Sequence, residues 1–174
     1  MYKYRITKYN PVFRDNEGIY LENDWTGISD LGKSFNGKEL TMEQYKETEE
    51  NYISAIQLIM SYMKTPYLKI EDAIQSFSKD MFFDLIADYK PLYTKDIIDF
   101  YLDIKNINEV RQDNCKLLLS LMLREDIGAK VFYPRKLKVF IGYDYLMSVH
   151  TSRPLEPIFH EIEQYNLYVE DFSN

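Results

Sequence analysis

Apolar and polar residues alternate at the start of the chain, with Tyr2, Tyr4 and Ile6 separated by Lys3, Arg5 and Thr7. That is the period of a strand with one buried face. Asn10-Pro11 interrupts it, and Asp15-Asn-Glu-Gly18 reads as a turn before a short extended piece over 19–21. Residues 22–36 keep no sustained period and contain Gly27, Ser29, Asp30 and Gly32. They predict an ordered loop held down by Trp25, Leu31 and Phe35.

The period then becomes helical. Tyr45, Tyr52, Ile53, Ile56, Met60 and Met63 fall on one face, with Glu43, Glu47 and Glu50 on another. Thr41-Met-Glu-Gln44 has the spacing of a capping box, in which side chains satisfy the first free backbone N–H groups. Pro66 ends the helix. Residues 67–70 predict a short strand, and 80–89 a short helix closing before Pro91. Thr94 is placed to cap a helix over 94–105, with Ile97, Ile98, Tyr101 and Ile104 inward. Asn106–Asn108 punctuates, and a further helix runs to about Arg124, carrying Val110, Cys115, Leu118, Leu119 and Met122, with Gly128 as its stop.

Residues 131–133 and 137–149 predict a strand pair around a turn at Pro134-Arg-Lys136. The second member is the strongest strand of the chain, with a bulge at Gly142 and with Tyr143 and Tyr145 both facing the core. Pro154 opens a last helix with Ile158, Phe159 and Ile162 on one face, and 167–169 closes the chain as a strand. Strands at both ends and helices between are not the alternation of a parallel α/β sheet. The expected fold is α+β, a mainly antiparallel sheet with four to five helices packed on one face, in a single domain spanning residues 1–174.

Charge changes the picture from a generic domain to an uneven one. The net charge is −7, but residues 41–104 hold twelve acids to six bases, 105–140 four to eight, and 141–174 six to one. Acidic segments thus flank a basic one, a layout suited to steering a basic partner. The only tight basic cluster is Arg135, Lys136 and Lys138, which argues against nucleic acid and a membrane surface as partners. No stretch has the ~20 apolar residues of a membrane span, and the first residues lack the apolar run of a signal peptide. A cytoplasmic protein is expected.

Candidate chemistry is sparse. Cys115 is the single cysteine and sits in an apolar helical run, so a buried inert thiol is expected. His160-Glu-Ile-Glu-Gln has Gln164 where a zinc-binding helix would carry its second histidine. Ser29-Asp30 lacks the flanking glycines of a nucleophile elbow, and Gly27, Gly32 and Gly37 match no phosphate-binding fingerprint. Pairs such as Glu49-Glu50 lie among polar residues, with nothing visible to bury them. No catalytic residue, metal or cofactor is expected.

The stretch Tyr4-Arg-Ile-Thr-Lys-Tyr-Asn-Pro11, followed by Arg14-Asp15, Gly18, Asp24-Trp-Thr26 and Ser29-Asp30-x-Gly32-Lys33, forms a pattern with Phe140-Ile-Gly-Tyr-Asp-Tyr145. It resembles the immunity proteins of bacterial polymorphic and contact-dependent toxin systems and their relatives, over about a quarter of the chain. The resemblance implies a non-enzymatic cytoplasmic protein that neutralises a toxin domain, commonly a basic nuclease. The residues proposed to meet a basic protein partner are Asp24, Trp25 and Asp30 in the loop, Glu43, Glu47 and Glu50 on the long helix, and Glu156, Glu161 and Glu163 near the C-terminus. For Trp25 an anchoring role in its own loop is an equal alternative. Two rival readings stand beside this: an enzyme of unfamiliar type using His150 or His160 with carboxylates, and a structural homodimer.

Overall fold

A computed structural model describes residues 1–173. The chain begins with β1 (Tyr2–Thr7) and continues through a single-turn 3-10 helix at Pro11–Phe13 and another at Ile28–Asp30. A two-stranded hairpin of β2 (Ser34–Phe35) and β3 (Lys38–Glu39) follows inside what the sequence pattern reads as irregular loop.

Helix α1 (Met42–Met63) has the capping box that its sequence predicts: the Gln44 N–H donates to Thr41 Oγ1 and the Thr41 N–H to Gln44 Oε1, both at 3.2 Å. It ends at Met63, three residues before Pro66, with Lys64 in the left-handed conformation at φ +53°. There the Lys64 N–H donates to the Ser61 carbonyl and the Thr65 N–H to the Met60 carbonyl, a closing geometry usually given to glycine.

Next come β4 (Tyr67–Gln75), α2 (Lys79–Ile86), a 3-10 segment Ala87–Leu92 and α3 (Lys95–Asp103). Strand β4 is longer than its pattern suggests because an irregularity between Glu71 and Ile74 lets pairing resume beyond it. The chain does not stop at Pro91; it tightens into the 3-10 segment, where a missing N–H costs little. Thr94 stands at the start of α3 without a side-chain bond to it.

The next element corrects an expectation. Residues 109–111 form β5 (Glu109–Arg111), with Val110 pointing inward from a strand, and α4 (Cys115–Leu123) begins only at Cys115. Gly128 is not its stop but lies in β6 (Ile127–Tyr133); Glu125, at φ +63°, turns the chain instead.

The run 137–149 is likewise two strands. β7 (Leu137–Ile141) and β8 (Met147–Thr151) pair as a hairpin, Ile141 opposite Met147. Its turn places Asp144 and Tyr145 at φ +60° and +58°, with the Leu146 N–H bonded to the Tyr143 carbonyl. Two left-handed central residues match the right-handed twist of the strands. Gly142 leads into this turn and bulges no strand. Tyr143 and Tyr145 part company: Tyr145 is buried and Tyr143 is 78% exposed. A 3-10 turn Glu156–Ile158, α5 (Phe159–Glu163) and β9 (Tyr168–Asp171) complete the fold.

The main sheet has the order β5-β4-β6-β7-β8-β1-β9, and every pairing is antiparallel. Tyr4, Ile6, Leu68, Ile70, Val131, Leu137, Val139, Met147 and Val149 line its inner face. The five α-helices pack on that side, α1 and α3 both against α4, and the buried residues form one continuous core. Each fully buried large aliphatic side chain contributes about 1.5–3 kcal/mol. The α+β architecture is as the pattern predicts.

Candidate functional site

An aromatic cluster joins the loop, the long helix and the hairpin tip. Tyr145 packs against Trp25, Tyr45 and Tyr52, with ring centroids 5.2, 6.1 and 5.3 Å away. Tyr52 ties the three parts through its hydroxyl, which accepts from the Lys8 N–H at 2.6 Å and donates to the Tyr145 carbonyl at 2.8 Å. These contacts hold a bulky residue at positive φ, where the backbone alone disfavours it.

Beneath the cluster lies a buried ion pair that the sequence conceals. Glu49, read as part of a polar carboxylate pair, is 3% exposed. Its carboxylate accepts from Arg124 Nε at 2.7 Å and from Arg124 NH2 at 2.5 Å, and from Ser120 Oγ at 3.0 Å. The remaining Arg124 nitrogen donates to the Leu92 carbonyl, and the guanidinium lies 4.7 Å from the Tyr93 ring centroid. Burial opposes the charge on Arg124, yet Glu49 holds its pKa above the ordinary value. Each of the three guanidinium nitrogens donates a hydrogen bond, which helps offset the cost of burying the pair.

A cleft of about 650 Å³ opens beside this pair. Ile28, Phe77, Leu85 and Tyr89 give it apolar and aromatic walls, and Glu125, Asp126 and Asp144 give it carboxylates. The Tyr93 hydroxyl donates to Asp126 Oδ2 at 2.7 Å. Burial, opposed by that bond and by Arg124, pushes the Asp126 carboxyl up to about 7. Burial and the charge of Asp144 also raise Glu125. Tyr143 stands exposed on the rim. The arrangement can receive a positively charged group with an apolar stem.

The residues singled out from sequence are dispersed. Asp24, Trp25 and Glu47 line a second cleft of about 580 Å³, but the first two serve the fold. Lys8 Nζ lies 2.6 Å from Asp24 Oδ2 and 4.1 Å from the Trp25 ring centroid. Burial pulls the Lys8 amine down to about 8 in spite of Asp24. Trp25 is buried, which matches the anchoring alternative. Asp30 accepts from the Thr26 N–H at 2.8 Å and from Lys33 Nζ at 2.9 Å, closing its own loop. Glu43, Glu47 and Glu50 are exposed on α1, and Glu156, Glu161 and Glu163 are exposed around α5.

His150 and His160 do not meet. His150 lies opposite Lys3 and Lys138, on the sheet face away from the helices, against Phe140. His160 is on α5, whose Phe159 packs edge-on to Tyr4 of the inner face. Among the described residues no group of three His, Cys, Asp or Glu side chains could hold a metal ion, and no helix is long and apolar enough to cross a membrane. Cys115 is fully buried, and burial pushes its thiol up to about 11.

Sequence reasoning missed Glu49, Arg124, Tyr93 and Asp126. The signal was faint: Arg124-Glu-Asp126 follows an apolar helix, where charged residues ordinarily mark solvent. Compared with family models, curated proteins and solved structures, the chain matches none.

Proposed function

We propose that the chain works by contact and not by catalysis, as an immunity-type protein that binds and neutralises a basic toxin domain in the bacterial cytoplasm, a nuclease being the favoured class. The observation that carries this reading is the cleft rimmed by Tyr143. An exposed tyrosine on a braced turn, next to apolar walls and the carboxylates of Glu125 and Asp144, has the make-up of an interface anchor. The exposed acids of α1 and α5 add a field that would speed encounter with a basic surface. The rival enzyme reading called for His150 or His160 with carboxylates; the two histidines lie on opposite sides of the sheet, which favours the contact reading over it.

Association kinetics with a toxin domain encoded beside this chain test the proposal. Tyr143→Ala is expected to raise the dissociation rate by about tenfold or more while leaving stability unchanged. Replacing Glu43, Glu47 and Glu50 by Gln should lower the association rate and flatten its salt dependence. Association that ignores salt, or a toxin that remains active when saturated with this protein, would sink the idea.

A further inference from the structure

The helices cover one side of the sheet; on the other side Arg14 meets Glu170 and Phe172 lies against Arg5 at the β9 end, and β6, β7 and β8 carry exposed residues. Facing away from the helices, four adjacent strands present Lys130 and Phe132 (β6), Lys138 and Phe140 (β7), Ser148 and His150 (β8), and Lys3 and Arg5 (β1). These eight positions include no carboxylate. The strand register sets Phe132, Lys138, His150 and Lys3 side by side, with Lys69 of β4 next to Phe132. Phe140, Ser148 and Arg5 form the neighbouring row. Adjacent strands lie about 4.8 Å apart, so each row is a continuous strip.

Several of these cations are uncommitted. Lys130 pairs with Asp72 at 2.5 Å, and Arg5 pairs with Glu170 at 3.5 Å and lies over the Phe172 ring. Among the described residues, Lys3, Lys69 and Lys138 have no carboxylate within ion-pair distance. Phe140 is 44% exposed, and its ring centroid lies 4.9 Å from that of His150. Burial, then Lys3 and Lys138, hold the His150 imidazole below its ordinary pKa, a sign of the positive field at that point. Glu71 and Glu109 beyond one side and Glu170 beyond the other bound the patch.

We infer that this open sheet face docks a single-stranded nucleic acid, with phosphates on Lys3, Lys69 and Lys138 and bases against Phe132, Phe140 and His150. The charge calls for a polyanion. The interleaved rings favour bases over an acidic peptide, since every base has a face that stacks on an aromatic side chain. An open sheet face meets splayed bases readily, and it enters neither groove of a duplex. The sequence argued against nucleic acid because its one basic cluster is Arg135, Lys136 and Lys138. Folding adds Lys3 and Lys69 from distant segments and turns the cluster's neighbours into a strip. The inference does not depend on the toxin-binding reading, which uses the helical side and the hairpin tip.

Fluorescence anisotropy with labelled single-stranded RNA and DNA 12-mers provides the test. Saturable binding with Kd on the order of micromolar at low salt is expected, with a log–log salt slope of about −2 to −3 for three to four phosphate contacts. Lys138→Glu and Lys3→Glu should each weaken binding roughly tenfold and flatten the slope by about 0.7. Phe140→Ala should weaken it about tenfold with the slope unchanged. Lys46→Glu, on the exposed side of α1, should have no effect. Circular dichroism verifies the fold, with Lys138→Gln replacing any reversal that unfolds. The inference is overturned by the absence of saturable binding at protein up to roughly 100 Kd of the expected range, by insensitivity to these variants, or by poly-glutamate or duplex binding as tightly as the single strand.

Discussion

Asp126 shows how much one buried residue can carry. Its folded pKa of about 7 stands above the 3.8 of a free carboxyl, so the folded state holds a proton that the unfolded state releases. Stability therefore falls as pH rises from about 4 to 7 and levels off above. Asp126→Asn keeps an acceptor for the Tyr93 hydroxyl and removes the buried charge. It should raise stability by about 1–3 kcal/mol at pH 8 and by little at pH 4. Urea denaturation at the two values checks this; an equal effect at both would refute the linkage. A sequence view could not foresee it, because the preceding Glu125 is exposed and the two look alike in the string. What separates them is the left-handed turn at Glu125, which sends the next side chain inward.

Elements were most legible where one period ran between clear boundaries. Helix α1 has its apolar face, its capping box and its end near Pro66 all written locally, and each is found in place. Even here one detail is unfavourable: Lys64 occupies a left-handed position that a side chain disfavours. Lys64→Gly should stabilise the protein by about 1 kcal/mol, read as a higher midpoint in thermal or chemical denaturation. The β7–β8 hairpin was hidden for the opposite reason. Ile141 and Met147 are paired partners with five residues between them, so the odd-numbered apolar positions continue unbroken across the turn. Alternation alone cannot reveal a turn that preserves its own phase. Strand β5 was lost because three residues are too few to set a period against the helix that follows.

Across the whole molecule, one ion pair couples helices far apart in the chain. Glu49 of α1 meets Arg124 at the end of α4, which bonds in turn to the Leu92 carbonyl. Glu49→Ala would strand a buried guanidinium and should cost about 3–5 kcal/mol, whereas replacing both residues by Met should cost far less. A double-mutant cycle measured by denaturant unfolding decides between this and two independent surface charges. The chain's own pattern was sufficient for the fold class, the long helix, the first and last strands of the chain and the overall balance of charge. Those properties follow from local periodicity and from sums, which need no third dimension. Which carboxylate is buried, which tyrosine stands exposed at the hairpin tip, and where the lysines assemble were settled only when segments far apart in the chain came together. Lys3, Lys69 and Lys138 share a strip, and Glu49 finds Arg124, because strand register and helix packing bring distant residues within a few ångströms, and a linear pattern carries no such distances.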